Sequence, residues 1–401
     1  MRVFLLLLLS SSYMFCQNLE NNNFLILESE SPQYYYVITE KGYYISENSK
    51  KFKFKEYSKP LPKSLNVGLN TLLPVVHKDK TYLLYPGGGL LYLFSDGAIN
   101  RIDRSFPHRN QYGGYFFSYK DNLYLIGGYG YWQTKSIVTK FNFNSGDWEI
   151  VNSSGQQPEG IDQGTFLIKN NMLYVFDFLT RQSNNQKEFR NDNLYVLDLE
   201  TFMWKKLGVI NPLLKTNGQL KGYKRFFDYN KNLLFSYADE PEFYIADLEK
   251  NRLKKYKDDV LFYKSGGHSI VKKNSLISAI QNSLTGDVAI ESFNLKPIID
   301  LDEAEEVYLY RDDKEFFEYL YFAFSFLAIL LITLSVYYKR VAQTYLLDYN
   351  TISVSGYSQD INKIERKILG LFSKNRSLSN SDLMNLFIEK DKTKDFAVKR
   401  K

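Results

Sequence analysis

NLYLIGGYGY at residues 122–131, followed closely by SIVTKFNFNSGDWEIV at residues 136–151, decides the fold. The first stretch reads as a strand of apolar and aromatic residues that stops at a double glycine, Gly127-Gly128. The second reads as strand, turn, strand, because the turn chemistry of Asn144-Ser145-Gly146-Asp147 separates two β-type runs, and the second run carries Trp148. The order then recurs. NNMLYVFDF at residues 170–178 takes the place of the double-glycine strand, with Phe176-Asp177 where the glycines stood. NLYVLDLETFMWKKL at residues 193–207 supplies the next hairpin and Trp204. A period of about 50 residues is the length that one four-stranded propeller blade occupies.

Strand, double glycine, aromatic hairpin, tryptophan is an order that resembles the kelch repeat. It is fullest over residues 112–151, where Gly113-Gly114 opens the unit, and is also present over residues 163–207. Weaker units flank these. KTYLLYPGGG at residues 80–89 keeps a glycine cluster, but the GAINRI that follows has no tryptophan. Residues 231–256 keep the strand–hairpin rhythm, with Leu253 near the tryptophan position. A later unit opens at Gly266-Gly267-His268, and an early one spans residues 24–57. The resemblance implies an all-β, kelch-like propeller of about six blades over residues 17–300. Glycine pairs allow backbone conformations closed to other residues where strands converge. The tryptophans are expected to fill the space between blades. A β-sandwich fits the same composition but does not require one order twice in succession.

Composition agrees with a sheet protein. Of 401 residues, 33 are Tyr and 30 are Phe, types that suit a pleated, half-buried surface. The single cysteine, Cys16, rules out an intrachain disulfide framework. It also excludes the cysteine–tyrosine copper centre of propellers resembling galactose oxidase. The three histidines, His77, His108 and His268, fall in three different units, a pattern that surface histidines also give, and no metal site is expected. SDGAIN at residue 95 does not fit a sialidase box, and no Gly-x-Ser-x-Gly or phosphate-cradling loop occurs. The propeller therefore reads as a binding or scaffolding module rather than an enzyme, with no cofactor. A hydrolase using the central pocket is the weaker alternative.

Two apolar runs frame the repeats. Arg2 followed by a run of apolar residues to Leu9 is too short to cross a bilayer and reads as a cleaved secretory signal over residues 1–16. Lipidation at Cys16 is the rival reading, opposed by the bulk of Phe15. YLYFAFSFLAILLITLSVYY, residues 319–338, has no charge, proline or glycine, and as a helix would match a bilayer core of about 30 Å. Lys339-Arg340 follow it, and an acidic linker, residues 301–318, precedes it. The positive-inside rule places the C-terminus in the cytoplasm and the propeller outside. The expected protein is a single-pass membrane receptor with an unknown extracytoplasmic ligand or protein partner, and dimerisation is its simplest signalling route. A tethered interaction or adhesion module without signalling is the alternative.

After a linker over residues 339–357, the tail over residues 358–401 reads as an all-α unit. Ile361, Ile364, Ile368, Leu369, Leu371 and Phe372 follow helical spacing behind a cap at Ser358 or Asp360. A second helix runs through Leu383, Leu386 and Phe387 behind Ser379 or Asn380, and residues 392–401 form a basic third. The outline is similar to winged-helix, helix-turn-helix domains, though the chain stops where a wing would begin. Lys392, Lys394, Lys399 and Arg400 are the expected nucleic-acid contacts in that reading. A cytoplasmic protein or anionic lipid is the competing partner.

Overall fold

The computed structural model describes residues 23–29, 34–47, 51–181, 188–214, 224–237, 241–257, 269–281, 288–301, 305–343, 345–354, 357–375 and 377–388. The chain divides into two units, Met1–Asp313 and Lys314–Lys401.

The first unit is a six-bladed β-propeller arrangement. Blade 1 comprises β1 (Phe24–Glu28), β2 (Tyr35–Thr39), β3 (Tyr43–Glu47) and β4 (Lys51–Lys55). Blade 2 comprises β5 (Leu73–His77), β6 (Lys80–Leu84), β7 (Leu91–Ser95) and β8 (Ala98–Arg101). In blade 3, β9 (Tyr115–Tyr119) and β10 (Asn122–Ile126) are followed by a small hairpin, β11 (Tyr129–Gly130) and β12 (Gln133–Thr134). Its sheet is completed by β13 (Val138–Asn142) and β14 (Asp147–Val151). β15 (Ser154–Gly155) leads into blade 4, built from β16 (Thr165–Lys169) and β17 (Met172–Phe176). A side hairpin, β18 (Phe178–Arg181) and β19 (Glu188–Asn191), precedes β20 (Asn193–Asp198) and β21 (Met203–Ile210). Blade 5 is β22 (Lys224–Tyr229), β23 (Asn232–Tyr237), β24 (Glu242–Asp247) and β25 (Arg252–Lys257). Blade 6 has three described strands, β26 (Ser269–Lys272), β27 (Ser275–Gln281) and β28 (Val288–Asn294).

Local sequence explains the repetition. The first turn of blades 2, 4 and 5 places two consecutive residues at positive φ: Lys78-Asp79 (45°, 61°), Asn170-Asn171 (49°, 63°) and Asn230-Lys231 (53°, 61°). That is the backbone of a two-residue hairpin turn whose twist matches its strands. The turn into the fourth strand is capped from within. Asn142 Oδ1 accepts from Asn144 N at 2.9 Å, and Asp198 and Asp247 do the same for Glu200 N (2.8 Å) and Glu249 N (3.2 Å).

Both tryptophans occupy the second position of a fourth strand, opposite Phe141 and Leu197. Trp204 is 2% exposed in a cluster shared by blades 3 and 4. Trp148 packs against Phe116 and Phe141 and donates its Nε1 to Gly89 O of blade 2 at 2.8 Å. Phe52, Ile99 and Leu253 hold the same position in blades 1, 2 and 5. Blade 6 closes on blade 1 through Phe24, Ile26, Ile270 and Ile277, and Lys272 Nζ donates to Ser29 O and Tyr34 O.

Within the stretch expected to be an acidic linker, residues 301–318, two short strands belong to the sheets and the long helix has already begun at Asp313. After α1 (Lys296–Leu301), β29 (Glu305–Tyr308) adds to β25 and β30 (Tyr310–Arg311) adds to the end of β21. The propeller therefore extends past residue 300. Leu309, fully buried between blades 4 and 5, anchors this strap. Asn251 Oδ1 accepts from Tyr310 N and its Nδ2 donates to Tyr310 O, both at 2.9 Å, while Asn211 Nδ2 donates to Tyr308 O at 2.7 Å. Glu306 pairs with Arg252 and Lys254, so the acidic residues answer the basic outer strand of blade 5.

α2 (Asp313–Gln343) is one continuous helix whose segment Glu318–Arg340 has a mean hydropathy of 2.2 and no buried part. It is long and apolar enough to cross a membrane. Beyond it the expected linker is a three-stranded meander, β31 (Tyr345–Leu347), β32 (Thr351–Val354) and β33 (Tyr357–Asp360). Ser358 and Asp360 thus lie in a strand, and the helix cap is Asn362. Its Oδ1 accepts from Ile364 N and Glu365 N, and Glu365 returns a bond to Asn362 N, a full capping box for α3 (Lys363–Lys374). α4 (Asn380–Ile388) starts behind Ser379, whose Oγ meets Asp382 N at 3.2 Å. The signal segment, Gly266-Gly267 and the basic residues 392–401 lie outside the described residues.

Candidate functional site

The first strands of all six blades line a central channel with two chambers. The mouth chamber, about 360 Å³, lies at the starts of these strands and is bordered by Gly113, Gln163, Asp177, Arg190 and Arg225. The far chamber, about 460 Å³, lies along their later residues and is bordered by Glu28, Thr81, Ser118 and Asp228. Tyr115, Phe166 and Phe226, one ring each from blades 3, 4 and 5, border both chambers. Tyr115 stacks on Phe166 with centroids 4.5 Å apart and planes 6° off parallel, and Phe226 lies 5.8 Å from Tyr115. These rings form an aromatic neck.

The mouth is built on the position where blade 4 departs from the double glycine. Asp177 follows β17 as Gly127 follows β10, and both keep a positive φ, 54° and 74°. Where Gly127 has no side chain, Asp177 sends a fully buried carboxylate to Arg190 Nε of β19 and accepts from Tyr237 Oη of blade 5 at 2.7 Å. Burial, then the Asp177 charge, push the Tyr237 phenol well above its ordinary range, so it remains a donor. Arg190 Nη2 is buried and has no hydrogen-bond partner among the described residues. Behind the rim, Asp162 sits against Gly113, where any Cβ would overlap its carboxylate. Burial, and secondarily Glu188, raise the Asp162 carboxyl to about 6 against the opposing effect of Arg181.

The far chamber is acidic. Glu28 borders the cavity, and the protein that encloses it, with a smaller push from Asp228, raises its carboxyl against the pull of Lys272. Asp228 Oδ1 is meanwhile engaged by Lys231 N at 2.9 Å in its hairpin turn. Burial, then Asp228, also raise the Tyr115 hydroxyl.

The residues singled out from sequence separate by role. Gly113 and Gly114 border the mouth. Gly127 and Gly128, at φ 74° and 97°, let Ile161 and Gln111 approach where a Cβ would collide with their backbones. Trp148 and Trp204 lie between blades. His77 is buried, stacked on Phe143, and shares a hydrogen bond with Ser118 Oγ at 2.8 Å. Burial lowers its pKa, and that of His108. No group of three or more metal-ligating side chains occurs among the described residues. Sequence reasoning missed Asp177, Arg190, Arg225 and Tyr237. It also missed Tyr131 and Trp132 at the tip of the β11–β12 hairpin, 70% and 75% exposed and both at positive φ.

No family profile matches the chain, and no curated protein matches it either. Among solved structures, the one described as "Structure of YjhT" is similar at a TM-score of 0.44 and 10% identity, over 69% of this chain and 96% of that one.

Proposed function

We propose that this protein is a single-pass membrane receptor whose kelch-like propeller binds an extracytoplasmic ligand at the channel mouth and whose tail carries the output. The observation that carries the reading is the mouth chamber itself: a concave site with an aromatic floor and a few convergent polar groups, the usual form of a ligand pocket. The kelch assignment is supported by Gly127-Gly128 at positive φ and by the shared register of Trp148 and Trp204. The membrane assignment is supported by the exposed apolar face of α2, and the orientation by Lys339-Arg340 after it. The helix-turn-helix reading of the tail is supported by two capped helices in succession. The meander ahead of them departs from the expected outline.

Removal of residues 345–401 tests the reading. A receptor loses its transcriptional or partner response while its propeller still binds. A tether shows no change in any response. Binding of the isolated tail to duplex DNA, titrated with salt, separates a DNA output from a protein or lipid one.

A second reading, a hydrolase, is favoured by Glu28 and Asp228 facing one chamber with the Glu28 carboxyl raised, a pattern shared by acid–base pairs. The engagement of Asp228 in its turn weighs against it. Glu28→Gln would abolish any such activity while leaving mouth binding intact.

A further inference from the structure

We propose that the tip of the β11–β12 hairpin is a lipid contact, with the rings of Tyr131 and Trp132 seated in the headgroup layer of a phospholipid bilayer. The proposal rests on reading α2 as a membrane span.

The tip carries strain that the fold does not repay. Tyr131 and Trp132 form the two-residue turn between β11 and β12, and both hold positive φ, 52° and 66°. Bulky side chains are strained in that conformation, and Asn-Gly is the usual choice for such a turn. Burial does not offset the strain, because the two rings are 70% and 75% exposed. Backbone strain of this kind is kept where the residues serve something other than folding.

The mount is firm. Tyr112 and Tyr129 exchange backbone hydrogen bonds at 2.9 and 2.6 Å, and Lys135 N donates to Gly128 O at 2.8 Å. Thr134 Oγ1 accepts from Arg181 N at 2.9 Å, which ties the hairpin to the side hairpin of blade 4. Gly130 lies so close to the Asn110 backbone that a Cβ would overlap it. The rings are thus held out at a fixed place.

Shape and chemistry select the occupant. A tight turn with two exposed rings is convex, so it fits a soft surface that closes around it better than it fits a sugar or a peptide. Tyr and Trp suit the headgroup layer, where the rings leave water and the phenol O–H and indole N–H still find oxygens. Cations stand beside them for the lipid phosphates. Lys135 Nζ lies 4.9 Å from the Tyr131 ring, and exposed Arg109 precedes the Asn110 on which Gly130 packs. The chain supplies proximity: β30 ends at Arg311 and α2 begins at Asp313. A bilayer crossed by α2 is therefore present at high effective concentration, and a weak contact suffices.

Brominated lipid tests this on the full chain in phosphatidylcholine nanodiscs, with the bromine placed high on the acyl chains. The chain has three tryptophans and α2 has none, while Trp148 and Trp204 pack between blades. Bromine is expected to remove most of the Trp132 emission, identified as the part missing from a Trp132→Phe variant. Tyr131→Asn is expected to restore some of it, weakening the contact while relieving a strained position. Equal Trp132 emission in brominated and plain lipid, with quenching by aqueous iodide, leaves the tip in water and overturns the lipid contact alone. Shielding from both bromine and iodide assigns the tip to a protein surface, a second copy included, and overturns it too. A chain that does not co-elute with the nanodiscs overturns the reading of α2 and the proposal with it.

Discussion

At the scale of single residues, two positions break local rules for different reasons. Asp177 holds a left-handed conformation that its glycine counterpart adopts freely, and its carboxylate is satisfied by Arg190 and Tyr237. Sequence showed only a degenerate glycine pair, because those partners lie 13 and 60 positions away and the fold alone brings them together. Tyr131 and Trp132 are different: both are left-handed and exposed, with Lys135 4.9 Å from the Tyr131 ring. Folding gains little from either ring. Tyr131→Asn with Trp132→Gly, the pair such a turn prefers, should therefore stabilise the protein by about 1 kcal/mol. A fall in the melting temperature would show that the rings do serve the fold. Asp162 gives a pH dependence. Its folded-state carboxyl, raised to about 6 from 3.8, binds a proton that the unfolded chain releases, so stability falls as pH rises between those values. Asp162→Asn should flatten that decline, by at most about 3 kcal/mol, measured as denaturant midpoints at pH 4 and pH 7.

At the scale of elements, the strands legible in sequence were those bounded by local chemistry. Residues 144–147 were read as a hairpin turn, and the loop is found at 143–146, held by Asn142. Asp198 and Asp247 repeat that cap, a signal spaced by about 50 residues that composition alone does not reveal. The strap was illegible for the opposite reason. β29 and β30 are short, β29 opens on two glutamates, and their partners lie on blades 5 and 4. Only tertiary pairing makes them strands. Gly208 is the point of closest approach: its φ is 155°, and a Cβ would strike the Arg311 carbonyl. Gly208→Val should expel β30, and Asn251→Ala should weaken the strap by about 1–2 kcal/mol through loss of its two bonds to Tyr310. Faster amide exchange at residues 305–311, with the inner strands unchanged, is the expected result. Unchanged exchange would mean that Leu309 burial suffices alone.

At the scale of the whole molecule, the propeller was legible because a blade is a repeated local unit, whereas the channel was not, since each blade contributes one strand to it. The same distinction bears on how a bound ligand would be sensed. The seam between blades 4 and 5 carries Asp177, Arg190 and Tyr237 at the mouth, then Phe176, Phe235 and Tyr244, then Leu309 of the strap. Arg311, at the end of that strap, lies two residues before α2 begins. A ligand bound at the mouth would bear on this seam, whose strap runs on in sequence into the apolar helix. Topology is the condition for this to amount to signalling, and the sequence makes it testable. With Cys16 the only cysteine, single-cysteine variants at Ser58 and Ser377 can be read without background once Cys16→Ser is introduced. A membrane-impermeant maleimide added to intact cells should label the residue-58 variant, on the propeller side, and label the residue-377 variant only after lysis. Labelling of both before lysis would place the tail outside with the propeller, and α2 would then join two modules on one side instead of carrying a change across a bilayer.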